Sequence, residues 1–259
     1  FVCLFGTCLT VSREPPAETL KSFWQATLDV MMEITNWVMK FAPIGVFALV
    51  AKVIAVSGAD AFKPLAMFFF TVLAALAAHL VINMALILKF VARVNPWRHY
   101  QAMAPALLTA FSTSSSSATL PLTMECVEER AGVSNNVSSF TLPLGATVNM
   151  DGTALYECVA AIFIAQVYGL ELSFATQFTI VLTALLTSIG VAGIPSASLV
   201  AISIILAAIG LPMEAVGLIL AVDRVLDMCR TAVNVFSDSV AAVVIGRLEG
   251  EQDILQRPL

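Results

Sequence analysis

The stretch Ser112–Pro121 reads STSSSSATLP: six consecutive hydroxyl residues, with APALLTAF before it at 104–111 and LPLTM after it at 120–124. In a soluble protein such a run is a flexible linker. This chain is 59% hydrophobic and 12% charged, with a mean hydropathy of +0.92, and it holds uncharged stretches long enough to cross a bilayer. That composition reads as a multi-pass integral membrane protein. A net charge of -5 provides no basic stripe, which argues against nucleic acid as a partner.

Working outward from the serines, Ala102–Phe111 is ten apolar residues, roughly 15 Å of helix and about half a hydrocarbon core. The chain returns to charge in MECVEER. Phe174–Thr187 and Leu199–Leu211 repeat this arrangement around SIGVAGIPSAS, inside a stretch from Leu172 to Met213 without a charged residue. The expected fold is therefore an all-α membrane protein of transmembrane helices plus two re-entrant helical hairpins. Irregular polar backbone is tolerated at membrane depth only where it is buried in protein or lines an aqueous cavity, so a serine-rich tip suggests a binding site. Its hydroxyls and half-helix ends can meet a carboxylate or a cation.

Pro64–Phe90 reads as a full span ending at Lys89, Arg93 and Arg98, which the positive-inside rule places in the cytoplasm. Arg130, Arg247 and Arg257 fall on the same side, giving a cytoplasmic C-terminus. The loops around Glu171 and Glu214 lack Lys and Arg, so the second hairpin enters from outside. Two hairpins of opposite entry make an inverted repeat with its site near the midplane, a transporter signature. Before them, Ala17 to about Val56 is helical but amphipathic, and Pro43 is expected to bend or break it. The opening FVCLFGTCLT reads as the tail of a truncated helix from a longer parent.

In AVDRVLDMCRTAVNVFSDSVAAVV, the residues Asp227, Arg230, Thr231, Asn234 and Asp238 fall at offsets 0, 3, 4, 7 and 11. At 3.6 residues per turn they share one face, within an arc of roughly 100°. Charge at the bilayer centre costs at least about 2.5 kcal/mol per group, so this face must look onto a cavity, an ion or a partner. A second polar group, Asn149, Asp151, Gly152 and Thr153 in TLPLGATVNMDGTALYE, interrupts an apolar helix. Unwound backbone there could coordinate a hard cation beside a carboxylate, with sodium the natural guess. The cysteines Cys3, Cys8, Cys126, Cys158 and Cys229 form no CxxC pair and read as small core residues. His79 and His99, each without a clustered partner, do not argue for a metal.

The motifs SSSSATLP, NMDGTALYE, SIGVAGIP and DMCRTAVNVFSD, in this order, resemble the sodium-coupled glutamate and neutral amino-acid transporters, the dicarboxylate/amino acid:cation symporters. The resemblance covers most of the chain from about Ala17. It implies a homotrimer with a scaffold and an elevator-like transport domain in each protomer. Residues 1–58 would be a scaffold remnant, a truncated helix and one broken helix; residues 59–248 would be the transport domain, and 249–259 a cytoplasmic tail. It further implies that Ser116 and Ile194 line the substrate pocket beside Thr153, Asp227, Arg230, Thr231 and Asn234. Arg230 would take a side-chain carboxylate, Asp227 the ammonium and Asn234 the α-carboxylate.

For sodium, the resemblance implies one site from Gly145, Asn149, Asn234 and Asp238, and another from Thr147, Ser188, Ile189 and Val191. A third would use Asn149 and Asp151. The family places an arginine at one of two positions, here Ser114 and Met228, and the nearest in this chain is Arg224. Ser198 and Ser237 stand where glycine is common. Glu157, on an apolar helix, reads either as a glutamate hydrogen-bonded to a neighbouring helix or as a neutral, proton-carrying group. Relatives link a glutamate there to proton co-transport.

The implied function is uptake of glutamate or aspartate with sodium and, through Glu157, a proton, with no organic cofactor. A neutral amino-acid or dicarboxylate symporter of the same fold is the alternative, and an ion channel the alternative of another class. An intramembrane protease fails on chemistry: the serines lack a GxSG pattern, the aspartates lack GxGD, and His79 has no evident serine partner.

Overall fold

The computed structural model describes residues 16–57, 62–190, 193 and 195–256. Ile194, Val191, Arg257, Cys3, Cys8 and the opening apolar segment lie outside the described residues, as do the side-chain surroundings of Glu214. Two compact units are present, Phe1–Lys52 and Val53–Leu259.

Helix α1 (Pro16–Ser57), most of it in the first unit, passes through Pro43 without interruption, so of the expected bend or break the break is corrected. A proline removes one N–H from the ladder, and the bonds of the turns on either side carry the helix through.

The second unit is built of helices joined by turns, with no strand among its described residues. Helix α2 (Phe62–Ala78) continues as a π turn at His79–Asn83, a short α segment at Met84–Leu86 and a second π turn at Ile87–Val91. Helices α3 (Pro96–Thr113) and α4 (Ser116–Glu125) follow, then α5 (Asn135–Val148), α6 (Asp151–Val167), α7 (Phe174–Gly190), α8 (Ser198–Ala208) and α9 (Leu220–Leu248). Three helical stretches among the described residues are long and apolar enough to cross a membrane: Lys63–Val91, Asn135–Val167 and Leu220–Leu248.

The serine run makes a helix–turn–helix. Ser114 closes α3 in the left-handed region at φ 53°, and its N–H still reaches Ala110 O at 2.9 Å. Ser115 turns extended, and its hydroxyl accepts the Ala118 N–H at 3.2 Å, which caps α4. A serine at this place typically stabilises a helix start by about 1 kcal/mol. The two helices run antiparallel: Thr113 Oγ1 lies 3.3 Å from Thr119 Oγ1 near the turn, and Arg130 Nη2 bonds Gln101 O at 3.3 Å at the far end. Helix α3 starts earlier than its apolar run suggests. The Asn95 side chain accepts the Trp97 N–H at 3.0 Å and starts the helix through polar WRHYQ.

Helix α9 forms the axis of packing. On α3, Ala102, Ala106 and Ala110 recur every four residues, all fully buried, and let the backbone come close to α9. Small residues at such spacing suit helix contacts in lipid, where apolar burial alone does not drive association. Tyr100 stacks on Phe236 of α9 with ring centroids 4.5 Å apart, and His99 Nε2 lies 2.9 Å from Ser239 Oγ. A second core of Phe68, Val72, Tyr156, Ile180, Ile205 and Leu226 joins α2, α6, α7, α8 and α9. Cys126 is buried, Cys158 and Cys229 are half-buried, and all three are free thiols.

Candidate substrate and ion site

The polar face of α9 is buried along its length: Asp223, Asp227, Arg230, Thr231, Asn234 and Asp238 are each 5% exposed or less. Buried charge of this kind persists only when paired and hydrogen-bonded. Arg230 approaches Asp227 Oδ1 with Nε at 3.0 Å and Nη2 at 2.7 Å. Its Nη1 is 3.5 Å from Asp223 Oδ1, which also accepts the Tyr156 hydroxyl at 2.7 Å. The guanidinium lies over the Tyr156 ring at 4.5 Å. Arg224, the only other cation near Asp227 among the described residues, reaches Asp227 Oδ2 at 3.8 Å from a half-exposed position.

Two tips meet above this face: the serine turn, and Gly193 with Ser196 from between α7 and α8. Ser115 Oγ donates to Gly193 O at 2.7 Å, and Ser196 donates its N–H to Asp227 Oδ2 at 2.9 Å. The space beneath them, lined by Ser116, Thr153, Thr231 and Asn234 among others, is about 20 Å³, enough for one water. Ser198, where glycine was expected, is buried against it with its hydroxyl unpartnered.

Beside it the chain unwinds at Asn149 and Met150, between α5 and α6. Helix α6 then starts with orphan N–H groups. Asn234 of α9 satisfies two of them: its Oδ1 accepts from Gly152 at 2.8 Å and Thr153 at 3.3 Å, while its Nδ2 donates to Thr153 Oγ1 at 2.9 Å. Only glycine fits position 152, because a Cβ there would lie 2.9 Å from both Arg230 O and Asn234 Oδ1.

The expected sodium ligands separate into groups. Gly145, Asn149 and Asp238 come together: Asn149 Nδ2 donates to Asp238 Oδ1 at 3.0 Å, and a Cβ on Gly145 would meet that oxygen at 2.6 Å. Asn149 also donates to Ser237 Oγ at 2.8 Å, so the serine in the place of a glycine holds the same amide. Asp151 turns away from Asn149, accepting from Gly152 N at 2.9 Å and lying 2.7 Å from His79 Nε2. Ser188 is buried, whereas Thr147 and Ile189 are exposed, and both hydroxyls return to carbonyls of their own helices. Glu157 is fully buried; its Oε2 accepts the Thr187 hydroxyl at 3.0 Å and its Oε1 has no partner.

Sequence reasoning missed His79, Tyr156, Thr187 and Asp223. The last was within reach, since Asp223 precedes Asp227 by one helical turn on the same face. Asn83 Nδ2, 3.0 Å from His79 Nδ1, extends the line of polar groups along the π turn.

The family model described as "Sodium:dicarboxylate symporter family" matches residues 1–248. The chain is 46% identical over 253 residues to excitatory amino acid transporter 3 of Mus musculus, covering 97% of this chain and 48% of that protein. It is 46% identical over 231 residues to an excitatory amino acid transporter of Caenorhabditis elegans, covering 88% and 46%. Against excitatory amino acid transporter 1 of Homo sapiens the identity is 44% over 250 residues, 96% of this chain and 46% of that protein. The chain spans about half the length of these curated relatives. It belongs to the sodium:dicarboxylate symporter family, a family of transporters and not of enzymes.

Proposed function

We propose that this chain is the substrate- and ion-binding portion of a secondary active symporter that takes up an acidic amino acid with sodium. The observation that carries this reading is the buried pair of Arg230 and Asp227 directly beneath two meeting tips. An α-amino dicarboxylate offers the complement of that pair. Its side-chain carboxylate takes the Arg230 fork in place of Asp227, and its ammonium takes Asp227 in place of the Ser196 N–H. A space of about 20 Å³ is too small for an amino acid, so binding requires the tips to part. A neutral substrate would leave the Arg230 fork with no closer anion than Asp223 at 3.5 Å, which disfavours that alternative.

Sodium is assigned to Gly145, Asn149 and Asp238 with the unwound backbone at Asn149–Met150, and a second ion to the surroundings of Asp151. Glu157 is the proton carrier in this reading, supported by its burial and its unpartnered Oε1. We place the two tips in re-entrant hairpins entering from opposite sides, residues 59–248 in an elevator-like transport domain, and the C-terminus in the cytoplasm of a homotrimer. Radiolabelled aspartate uptake by the full-length protein in proteoliposomes, with sodium replaced by choline, tests the function. Saturable uptake that disappears in choline supports it, and uptake indifferent to the replacement, or unsaturable ion flux alone, overturns it.

A further inference from the structure

A second polar recess lies away from the tips, where the chain leaves the span Lys63–Val91 and turns through Ala92–Asn95 into α3. It is a groove of about 280 Å³ lined by Arg93, Arg98 and Arg247, with Leu255 and Gln256 opposite, and no carboxylate lines it among the described residues. An adjoining recess of about 600 Å³ shares Arg93 and Arg247 and includes Glu251. That carboxylate is already engaged by the Ser134 N–H at 3.0 Å and by the Ser134 hydroxyl at 2.5 Å.

The three arginines are unequally committed. Arg247 is a clamp, giving Nε to Ala92 O at 3.1 Å and Nη1 to the carbonyls of Glu251 and Gln252 at 3.0 Å each. Arg98 gives Nη1 to Leu255 O at 2.9 Å and keeps its other N–H groups. Arg93 has no hydrogen bond or ion pair among the described residues, and it stands at φ 55°. That left-handed position follows a helix end, where glycine is the ordinary residue and a side chain is strained. A strained, uncommitted guanidinium beside two others points to an anion. Apolar surface flanks these arginines: Phe90 and Val91 line the adjoining recess and are 66% and 58% exposed, and Trp97, next to Arg98 in sequence, is 68% exposed.

We propose that this groove binds the phosphate of an anionic phospholipid headgroup at the membrane surface. Arg93 and Arg98 supply the donors, Arg247 forms the fixed wall, and Phe90, Val91 and Trp97 lie against the acyl chains and the interface. The occupant is a lipid because the groove begins directly after a membrane-length helix and its rim offers apolar surface that a soluble anion does not use.

The test is native mass spectrometry of the full-length protein in detergent, with phosphatidylglycerol or phosphatidylcholine added. Wild type is expected to retain phosphatidylglycerol preferentially. Arg93→Gly suits the left-handed backbone, so the fold should melt at the same temperature or higher while phosphatidylglycerol retention falls about fivefold, the ratio of about 1 kcal/mol for one interfacial cation. Arg93→Lys should retain an intermediate amount, and Lys63→Gln, at the opposite end of the span, should match wild type. Equal retention of the two lipids by wild type, or undiminished phosphatidylglycerol on Arg93→Gly, overturns the proposal. Displacement of the lipid by glycerol phosphate alone overturns the lipid assignment in favour of a soluble anion.

Discussion

Asn234 Oδ1 accepts the Gly152 N–H at 2.8 Å, so a side chain of one helix caps the start of another across the unwound break. The polar face of α9 and the unwound break at Asn149–Met150 are thereby one mechanical unit. Asn234→Ala should cost about 1 kcal/mol in stability through the lost cap. Asn234→Asp keeps an acceptor for Gly152 and should lose less. Melting temperatures of the two purified full-length variants check the order, and equal losses would contradict the capping role.

Arg230→Cys removes the guanidinium that faces Asp227 and Asp223. Discrimination for acidic over neutral amino acids should fall by about 2 kcal/mol or more, close to thirtyfold. Competition of serine and aspartate for uptake measures it, and aspartate affinity unchanged in the variant would refute the substrate assignment.

Asp238→Asn keeps the shape against Gly145 and Asn149 while removing one negative charge. Sodium activation of uptake should shift to higher concentration by tenfold or more, the scale of a lost charge-assisted contact. The chain should still fold. An activation curve superimposable on wild type would remove Asp238 from the ligand set.

Glu157→Gln preserves the Thr187 hydrogen bond in outline and abolishes proton exchange at that site. Substrate-for-substrate exchange should persist. The pH dependence of substrate binding should vanish, read as dissociation constants measured across about pH 5 to 8, the physiological window. A variant that still moves a proton with each substrate would assign the role elsewhere.

The long helices and the polar stripe of α9 were legible because a 3.6-residue period leaves its mark on any half-polar helix. The partners of that stripe were not. Tyr156 meets Asp223 from 67 positions away and His79 meets Asp151 from 72, distances at which local sequence carries no signal. Helix ends were misjudged where apolarity and backbone bonding disagree. Asn95 starts α3 six residues before its apolar run, and α1 runs through Pro43 because one missing N–H does not undo the turns around it. Asp151 was grouped with Asn149 by adjacency. The unwound backbone between them sends one side chain towards α9 and the other towards α2.

The π turns in α2 settle a question of phase. Its inward residues Phe68, Val72, Leu76, Met84, Leu88 and Ala92 are all 4% exposed or less, and half-buried Leu80 completes a repeat of four. Around a regular α-helix such a repeat drifts by roughly 40° per step, so the later members would swing out of the protein. A π turn accommodates more residues, and the two at His79–Asn83 and Ile87–Val91 take up the excess, keeping one seam against the core from end to end. Deleting a single residue from the second turn would therefore not merely shorten the span. It would rotate Arg93 and everything leading into α3 by about a quarter-turn relative to α9.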